Sequence, residues 1–386
     1  MLREATFDLQ PGVRASFGAG AIGKLGKRMR GLGAPSAFIV TDAGIARAGV
    51  AERVRAVLTE SGIRCGVFEG VTANPTADCV HQGAEQLRAD PDAVVIALGG
   101  GSSMDAAKAI ALVAPNGGTC VDYVFGSNPA KPGHRIVAVP TTAGTGSETN
   151  MFGVVTDPSL GRKILVAHTS VLPVLVVLDP ELGVGAPQGV TATCGMDVLT
   201  HAVEAFTCKR ANPYTDAVAL QAIRMVAEHL PAAYDDGANI EARANMLLAA
   251  HFAGIAFTSS GLGMCHAMGH PLSARYDAAH GQTLATLLPS VMRFNKPACE
   301  AKYAEVAAAL GAARTGASNA DNAERAIAAV EALRARVKTD RRASEIGAKA
   351  DDLPTLVEDA FHDVLMFATP RFPERSDVEN IYRALL

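Results

Sequence analysis

Residues 261–281, GLGMCHAMGHPLSARYDAAHG, place His266, His270 and His280 in a stretch that is otherwise mostly small and apolar. The whole chain has 10 histidines. An imidazole in apolar surroundings needs a partner, so three together imply a shared ligand or a set of internal hydrogen bonds. His266 and His270 are four apart, which on a helix puts them on one face. The stretch TCGMDVLTHAVEAF (193–206) repeats that spacing with Asp197 and His201. Alone, that pair reads first as a carboxylate–imidazole hydrogen bond. Beside the histidines of 261–281 it reads as part of a metal site. An Asp with three or four histidines and no thiolate suits Fe2+, Zn2+ or Mn2+. Sites that lack thiolates are more often catalytic than structural. Cys265 adjoins His266 but leaves the helix in another direction.

A second chemistry is written in glycine-rich loops. GGGSSMDAAK (99–108) follows the apolar run AVVIAL (93–98) and opens a helical pattern. Gly99, Gly100 and Gly101 would let the backbone approach a pyrophosphate, with the free N–H groups of the helix start pointing at it. Ser102 and Ser103 could donate to phosphate or cap the helix. PTTAGTGSET (140–149) also follows a buried strand and carries Thr141, Thr142, Thr145 and Ser147, hydroxyls suited to phosphate, ribose or amide contacts. The earlier GAGAIG (18–23) matches G-x-G-x-x-G, but the short, polar GVRASF before it favours an ordinary strand-to-helix turn. Asp42 closes the strand AFIVTD (37–42) and has two readings that stay open. It is either a ribose acceptor that would repel a 2′-phosphate, favouring NAD over NADP, or the cap of the following helix.

The elements that must position these residues fall into two halves. Strand-like runs at 37–42, 65–71, 93–98, 135–142 and 172–179 alternate with helical patterns at 50–62, 75–89 and 103–114. That alternation predicts a parallel, doubly wound sheet. From about residue 187 onward the pattern is helical with no convincing strand, apart from a surface loop expected at 312–322. The Gly- and Pro-containing PELGVGAPQ (180–188) marks the boundary, giving an α/β domain over 1–183 and a helical domain over 184–386. No internal repeat or low-complexity block occurs.

A chain of 386 residues exceeds what one core usually holds, so two domains are expected on length as well. A net charge of −4 and no run of Lys or Arg argue against nucleic acid as a partner. Seven cysteines, an odd and widely spaced set without C-x-x-C, read as reduced thiols of a cytoplasmic protein. MLREATFDLQ lacks a signal-peptide core. The longest apolar run, 171–178, is too short to span a bilayer, so no membrane association is expected.

Four motifs in fixed order, GGGSSMDAAK, PTTAGTGSE, GMDVLTHAVEAF and GLGMCHAMGHPLSARYDAAHG, resemble those of the iron-containing, group III alcohol dehydrogenases. The resemblance runs to about Asn295 and is weaker beyond it. It implies a Rossmann-like N-terminal domain and an all-helical C-terminal domain of the dehydroquinate synthase-like architecture, with NAD, less so NADP, and Fe2+ or Zn2+ as cofactors. Carried over by position, the metal ligands fall on Asp197, His201, His266 and His280. His270 matches a histidine that serves substrate rather than metal, with a hydrogen bond to a backbone carbonyl as its plainer role. The phosphate loop falls on Gly99, Gly100, Gly101 and Ser102, and the second loop on Thr141, Thr142 and Thr145. Asn74 matches an adenosine-side contact and Lys163 a lysine near the nicotinamide ribose. Met151 departs from the polar or basic residue common there, which bears on the substrate neighbourhood. Phe152, Phe257 and Arg275 are further candidates for shaping the pocket.

The expected activity is hydride transfer between NAD(H) and a small primary alcohol or aldehyde, a diol or hydroxyacid included, in a homo-oligomer of two or more chains. Three alternatives share parts of the pattern. A metal-free maleylacetate-type reductase would not need the full ligand set. A dehydroquinate synthase-like lyase would need a cluster of Lys and Arg that is absent from the motifs. A non-catalytic nucleotide-binding scaffold would give no absorbance change at 340 nm.

Overall fold

The computed structural model describes residues 12–157 and 162–386. The opening segment MLREATFDLQ lies outside them. The described chain forms two compact units, Gly12–Ala186 and Pro187–Leu386.

The first unit runs β1 (Ala15–Phe17), α1 (Leu25–Gly31), β2 (Ser36–Asp42), α2 (Ala43–Arg47), α3 (Val50–Glu60), β3 (Arg64–Val71), α4 (Ala77–Leu87), β4 (Val94–Gly99), α5 (Gly101–Asn116), β5 (Ile136–Pro140), β6 (Phe152–Asp157), β7 (Arg162–Ala167) and β8 (Leu175–Leu178). Six strands make a parallel sheet in the order β1-β8-β5-β4-β2-β3. Strands β4, β5 and β8 are buried along their whole length, as their continuous apolar runs predict for a sheet covered on both faces. On one face Val94, Ile96 and Leu98 join Ile39, Val137 and Val177 in a core with Leu25, Met29, Val54 and Leu58 from α1 and α3. Helices α4 and α5 pack together, with Val80, Leu87, Ile110 and Leu112 fully buried.

The antiparallel hairpin β6–β7 lies outside the expected strands, whereas β1 is the short strand that the strand-to-helix turn after GVRASF implies. The hairpin is half-buried, and the apolar residues Val154 and Leu165 face outward, which blurs the expected alternation. GAGAIG is a turn, with Gly18 and Gly20 at positive φ. The N–H groups of Gly20 and Ile22 donate to the buried carboxylate of Asp179, so a protein carboxylate occupies these donors.

The second unit consists of α6 (Gln188–Thr207), α7 (Pro213–Asp235), α8 (Ile240–Ser260), α9 (Met264–Tyr276), α10 (His280–Ala309), α11 (Asn319–Arg336), α12 (Leu353–His362) and α13 (Arg375–Leu385), with short 3-10 turns and no strand among the described residues. Helix α6 is central and packs on α7, α8 and α10. The loop expected at 312–322 ends earlier, because the Ser318 side chain accepts from Asp321 N and starts α11 at Asn319. No single helix among the described residues is long and apolar enough to cross a membrane; α8 and α9 pass such a test only as a pair bent by 109°.

Candidate metal centre and cofactor-binding edge

Helix α6 is buried over nearly all of its second half, so polar residues there must be matched from other elements. Asp197 and His201 share one face of it, and His201 Nε2 lies 3.5 Å from Asp197 Oδ1. Helix α9 brings His266, whose Nε2 is 4.0 Å from the same oxygen. His280, the first residue of α10, brings a third Nε2 to 3.9 Å. Its approach depends on Gly281, where a Cβ would stand 2.1 Å from the carbonyl oxygen of Thr193 on α6. Any larger residue would push the start of α10, and His280 with it, away from Asp197.

One donor atom each from Asp197, His201 and His266 lies within 4.8 Å of the other two. His280 joins them through Asp197 and is more open, with a third of its side chain exposed. The rings of His201 and His266 stack at 4.6 Å, and the ring of Phe257 lies 4.7 Å from that of His201. Asp197 Oδ1 and His266 Nε2 are buried and make no hydrogen bond. Burial pushes the Asp197 carboxyl up to about 8, a penalty that a neighbouring cation relieves. Burial, and next the charge of His270, hold His266 well below the usual imidazole range, which keeps it neutral as a ligand must be. A carboxylate and three imidazoles converging, with Asp197 Oδ1 and His266 Nε2 making no hydrogen bond, fit a divalent metal ion of the Fe2+ or Zn2+ kind. The thiol of Cys265 points away, toward the carbonyl of Leu284.

His270 lies one turn past His266, and its ring is 5.3 Å from that of His280. Its Nδ1 is 2.6 Å from Asp363 Oδ2, so its partner is a carboxylate and not a backbone carbonyl. Burial alone would raise Asp363, but the hydrogen bond and charge of His270 outweigh it and leave the carboxyl below its ordinary range. Asp363 was invisible to spacing arguments, being 93 residues away.

In the sheet unit the phosphate-loop candidates gather at the carboxyl edge of the strands. Gly99 pairs with Pro140, and Asp42 ends the neighbouring strand β2. Gly99 has φ of +141°, and a Cβ there would stand 2.4 Å from Ser103 Oγ, so glycine is required on both counts. A Cβ on Gly101 would stand 2.7 Å from Thr145 Cγ2, so the two loops touch. Helix α5 starts at Gly101 with no side chain capping it, leaving its first N–H groups for a ligand. The Thr141 hydroxyl is buried and makes no hydrogen bond. Thr142 lines Gly100, whereas Thr145 Oγ1 accepts from Ser147 N. Asp42 Oδ1 accepts from Gly44 N and Ile45 N, and Oδ2 accepts from Ser103 Oγ, so the helix-capping reading holds in this structure. Lys163 Nζ donates to Asn74 Oδ1 at 2.9 Å, pairing two residues expected at opposite ends of a dinucleotide. The open helix start, the cradle of glycines and the unpaired Thr141 hydroxyl fit a pyrophosphate.

The family model of the iron-containing alcohol dehydrogenases matches residues 12–180, and that of the C-terminal part of the Fe-containing alcohol dehydrogenase family matches residues 191–386. The chain belongs to the iron-containing alcohol dehydrogenase family. The NAD-dependent methanol dehydrogenase of Bacillus methanolicus is 38% identical over 370 residues, which cover 96% of this chain and 97% of that one. The 1,3-propanediol dehydrogenase of Citrobacter freundii is 39% identical over 369 residues, 95% of each chain. A crystal structure of 1,3-propanediol oxidoreductase superposes with a TM-score of 0.96 at 37% identity, covering 99% of this chain and 100% of that one. As a member of this family the protein is an oxidoreductase of the alcohol dehydrogenase kind.

Two groups of polar residues in the site have partners that spacing alone does not reveal. Glu204 follows His201 by three residues inside the quoted motif, and its Oε2 is 2.5 Å from His266 Nδ1. Asp105 and Lys108 sit inside GGGSSMDAAK. Lys108 is fully buried and donates to Ser147 O, Ser147 Oγ, Asn150 Oδ1 and Phe152 O, while Ser147 Oγ donates to Asp105. Burial pulls the Lys108 ammonium down to about 8, opposed by Asp105 and Glu148. These contacts strap the 140–149 loop to α5.

Proposed function

We propose that this protein is an NAD-dependent dehydrogenase that interconverts a small primary alcohol and its aldehyde, using a divalent ion, Fe2+ or Zn2+, held by Asp197, His201, His266 and His280. The observation that carries this reading is the convergence of three imidazole Nε2 atoms on one buried Asp197 oxygen that makes no hydrogen bond. When bound, the ion would act as a Lewis acid on the alcohol or carbonyl oxygen, and NAD would accept or return the hydride. The chain's own residues supply the rest. Asp363 accepts from His270 Nδ1, which leaves Nε2 of that half-exposed imidazole to take the alcohol proton and pass it to solvent. Gly99, Gly100, Gly101 and Ser102 would hold the pyrophosphate at the start of α5, with Thr141, Thr142 and Thr145 beside them. Asn74 and Lys163 would bind the dinucleotide as a pair. Asp42 would disfavour a 2′-phosphate, so NAD is preferred to NADP.

The relatives named as dehydrogenases of methanol and 1,3-propanediol support a short alcohol or diol as substrate. Seven free thiols support a reducing, cytoplasmic setting. A homo-oligomer of two or more chains completes the reading. The deciding experiment is a screen of iron-loaded protein against short alcohols, diols and hydroxyacids with NAD, followed at 340 nm. Turnover that disappears on chelation and returns with Fe2+ or Zn2+ is expected. Full turnover in verified metal-free protein overturns the proposal.

A further inference from the structure

Glu204 stands on the same face of α6 as Asp197 and His201, seven and three residues along from them, and is buried. A carboxylate in that position needs donors, and both of its oxygens have them. Oε2 is 2.5 Å from His266 Nδ1, and Oε1 accepts from Cys265 N at 2.6 Å. Helix α9 begins at Met264 with Gly263 as its N-cap and no capping side chain of its own. Glu204 therefore supplies that cap from another helix. Gly263 makes room for it, because a Cβ there would stand 3.1 Å from Glu204 Oε1.

A cap needs one oxygen, and the second is spent on a ring nitrogen. The two nitrogens of an imidazole lie on different edges of the ring. Donation from Nδ1 to a carboxylate leaves the lone pair on Nε2, and Nε2 of His266 is the buried atom without a hydrogen bond that faces Asp197. We propose that Glu204 is the positioning residue of the metal centre: its carboxylate holds His266 as the Nδ1–H tautomer and pins the first turn of α9, aiming Nε2 at the ion. This rests on the metal reading given above. His270 has its own carboxylate, Asp363, so each of the two histidines on α9 is oriented by a different acid.

The test is Zn2+ affinity, measured by competition with a chromophoric chelator, in the parent and in Glu204→Gln and Glu204→Ala. Melting temperatures of the metal-free forms are recorded in parallel. Glu204→Gln keeps the length of the side chain and one oxygen for the Cys265 N–H. It is expected to melt close to the parent without metal, yet to bind Zn2+ on the order of 10–100-fold more weakly. Glu204→Ala is expected to lose both metal affinity and metal-free stability. A Glu204→Gln affinity within twofold of the parent, or a loss of metal-free stability in that variant with affinity unchanged, reduces Glu204 to a helix cap and overturns the inference. A parent that binds no Zn2+ overturns the metal reading itself. A third arm reads the parent's Glu204 directly: in 15N-labelled metal-free parent, His266 is expected as the Nδ1–H tautomer, its signals assigned by their loss in His266→Gln. The Nε2–H tautomer at His266 overturns the inference while leaving the metal reading intact.

Discussion

A buried carboxylate oxygen with three imidazole nitrogens around it and no hydrogen bond is costly unless something charged joins them. That cost separates the roles of neighbouring histidines. His266→Ala and His280→Ala each remove a donor aimed at Asp197, so metal content by elemental analysis and turnover should fall together. His270→Ala removes a donor already committed to Asp363, so metal content and NAD affinity should stay near parental while turnover falls on the order of 10²-fold. A metal-free His270→Ala protein, or one as fast as the parent, contradicts this division. Asp363 adds a pH consequence. Its carboxyl lies below its ordinary range in the fold, so the stabilisation it gives is complete above the unfolded carboxylate value of about 4 and is lost as pH falls through the lower folded value. Acid unfolding of Asp363→Asn, followed by circular dichroism, should therefore show a shallower loss of stability below about pH 4 than the parent. Asp42 caps α2 and, in the proposed function, would also exclude a 2′-phosphate. Replacing a cap by glycine costs only a few tenths of a kcal/mol. Asp42→Gly should thus stay folded while the ratio of kcat/KM for NADP to that for NAD rises; an unchanged ratio leaves only the cap.

At the scale of elements, legibility followed burial. Strands β2, β4, β5 and β8 are continuous apolar runs because both faces are covered, and such runs stand out in a sequence. The β6–β7 hairpin is half-exposed and its pattern does not alternate cleanly, so it was missed. The start of α11 was misplaced because Ser318, a loop-forming residue by composition, acts as a cap. Among site residues, those sharing a helix face at four-residue spacing were visible, whereas Asp363 reaches its partner from another helix end and Glu204 looked like one acid in an apolar motif. Lys108 and Asp105 lie within a glycine motif that gives no hint of their role, since only the fold shows that they tie α5 to the 140–149 loop. Lys108→Met would leave the oxygens of Ser147, Asn150 and Phe152 without their donor. Each buried acceptor left unpaired costs about 1–3 kcal/mol, so the variant's urea midpoint should fall sharply, with NAD binding lost before the metal site is affected. Gly99→Ala tests the same loop from the other side. The positive φ and the close Ser103 hydroxyl should cost about 1–3 kcal/mol and weaken NAD binding, measured by calorimetry, with metal content unchanged.

For the whole molecule, the four metal-ligand candidates and the glycine loops belong to different compact units: Asp197, His201, His266 and His280 to Pro187–Leu386, and Gly99 to Thr145 to Gly12–Ala186. A ligand that binds only the folded state stabilises it by mass action, about 2.7 kcal/mol at a hundredfold excess over Kd. Binding free energy acts first on the elements that supply the contacts, so the two cofactors should leave separate signatures. Hydrogen exchange read peptide by peptide is the measurement. Adding Zn2+ to chelator-treated protein should slow exchange in the ligand-bearing parts of α6, α9 and α10 and raise the melting temperature, and neither change should occur in Asp197→Asn. Adding NAD to the same metal-free protein should slow exchange at the start of α5 and in 140–149, where donors stand open, without protecting α9. Protection of α9 by NAD alone, or of the glycine loops by Zn2+ alone, would mean that at least one site has been assigned to the wrong residues. Equal protection of both units by either ligand would instead show that the chain unfolds as one cooperative body, and the calorimetric transition should then be single.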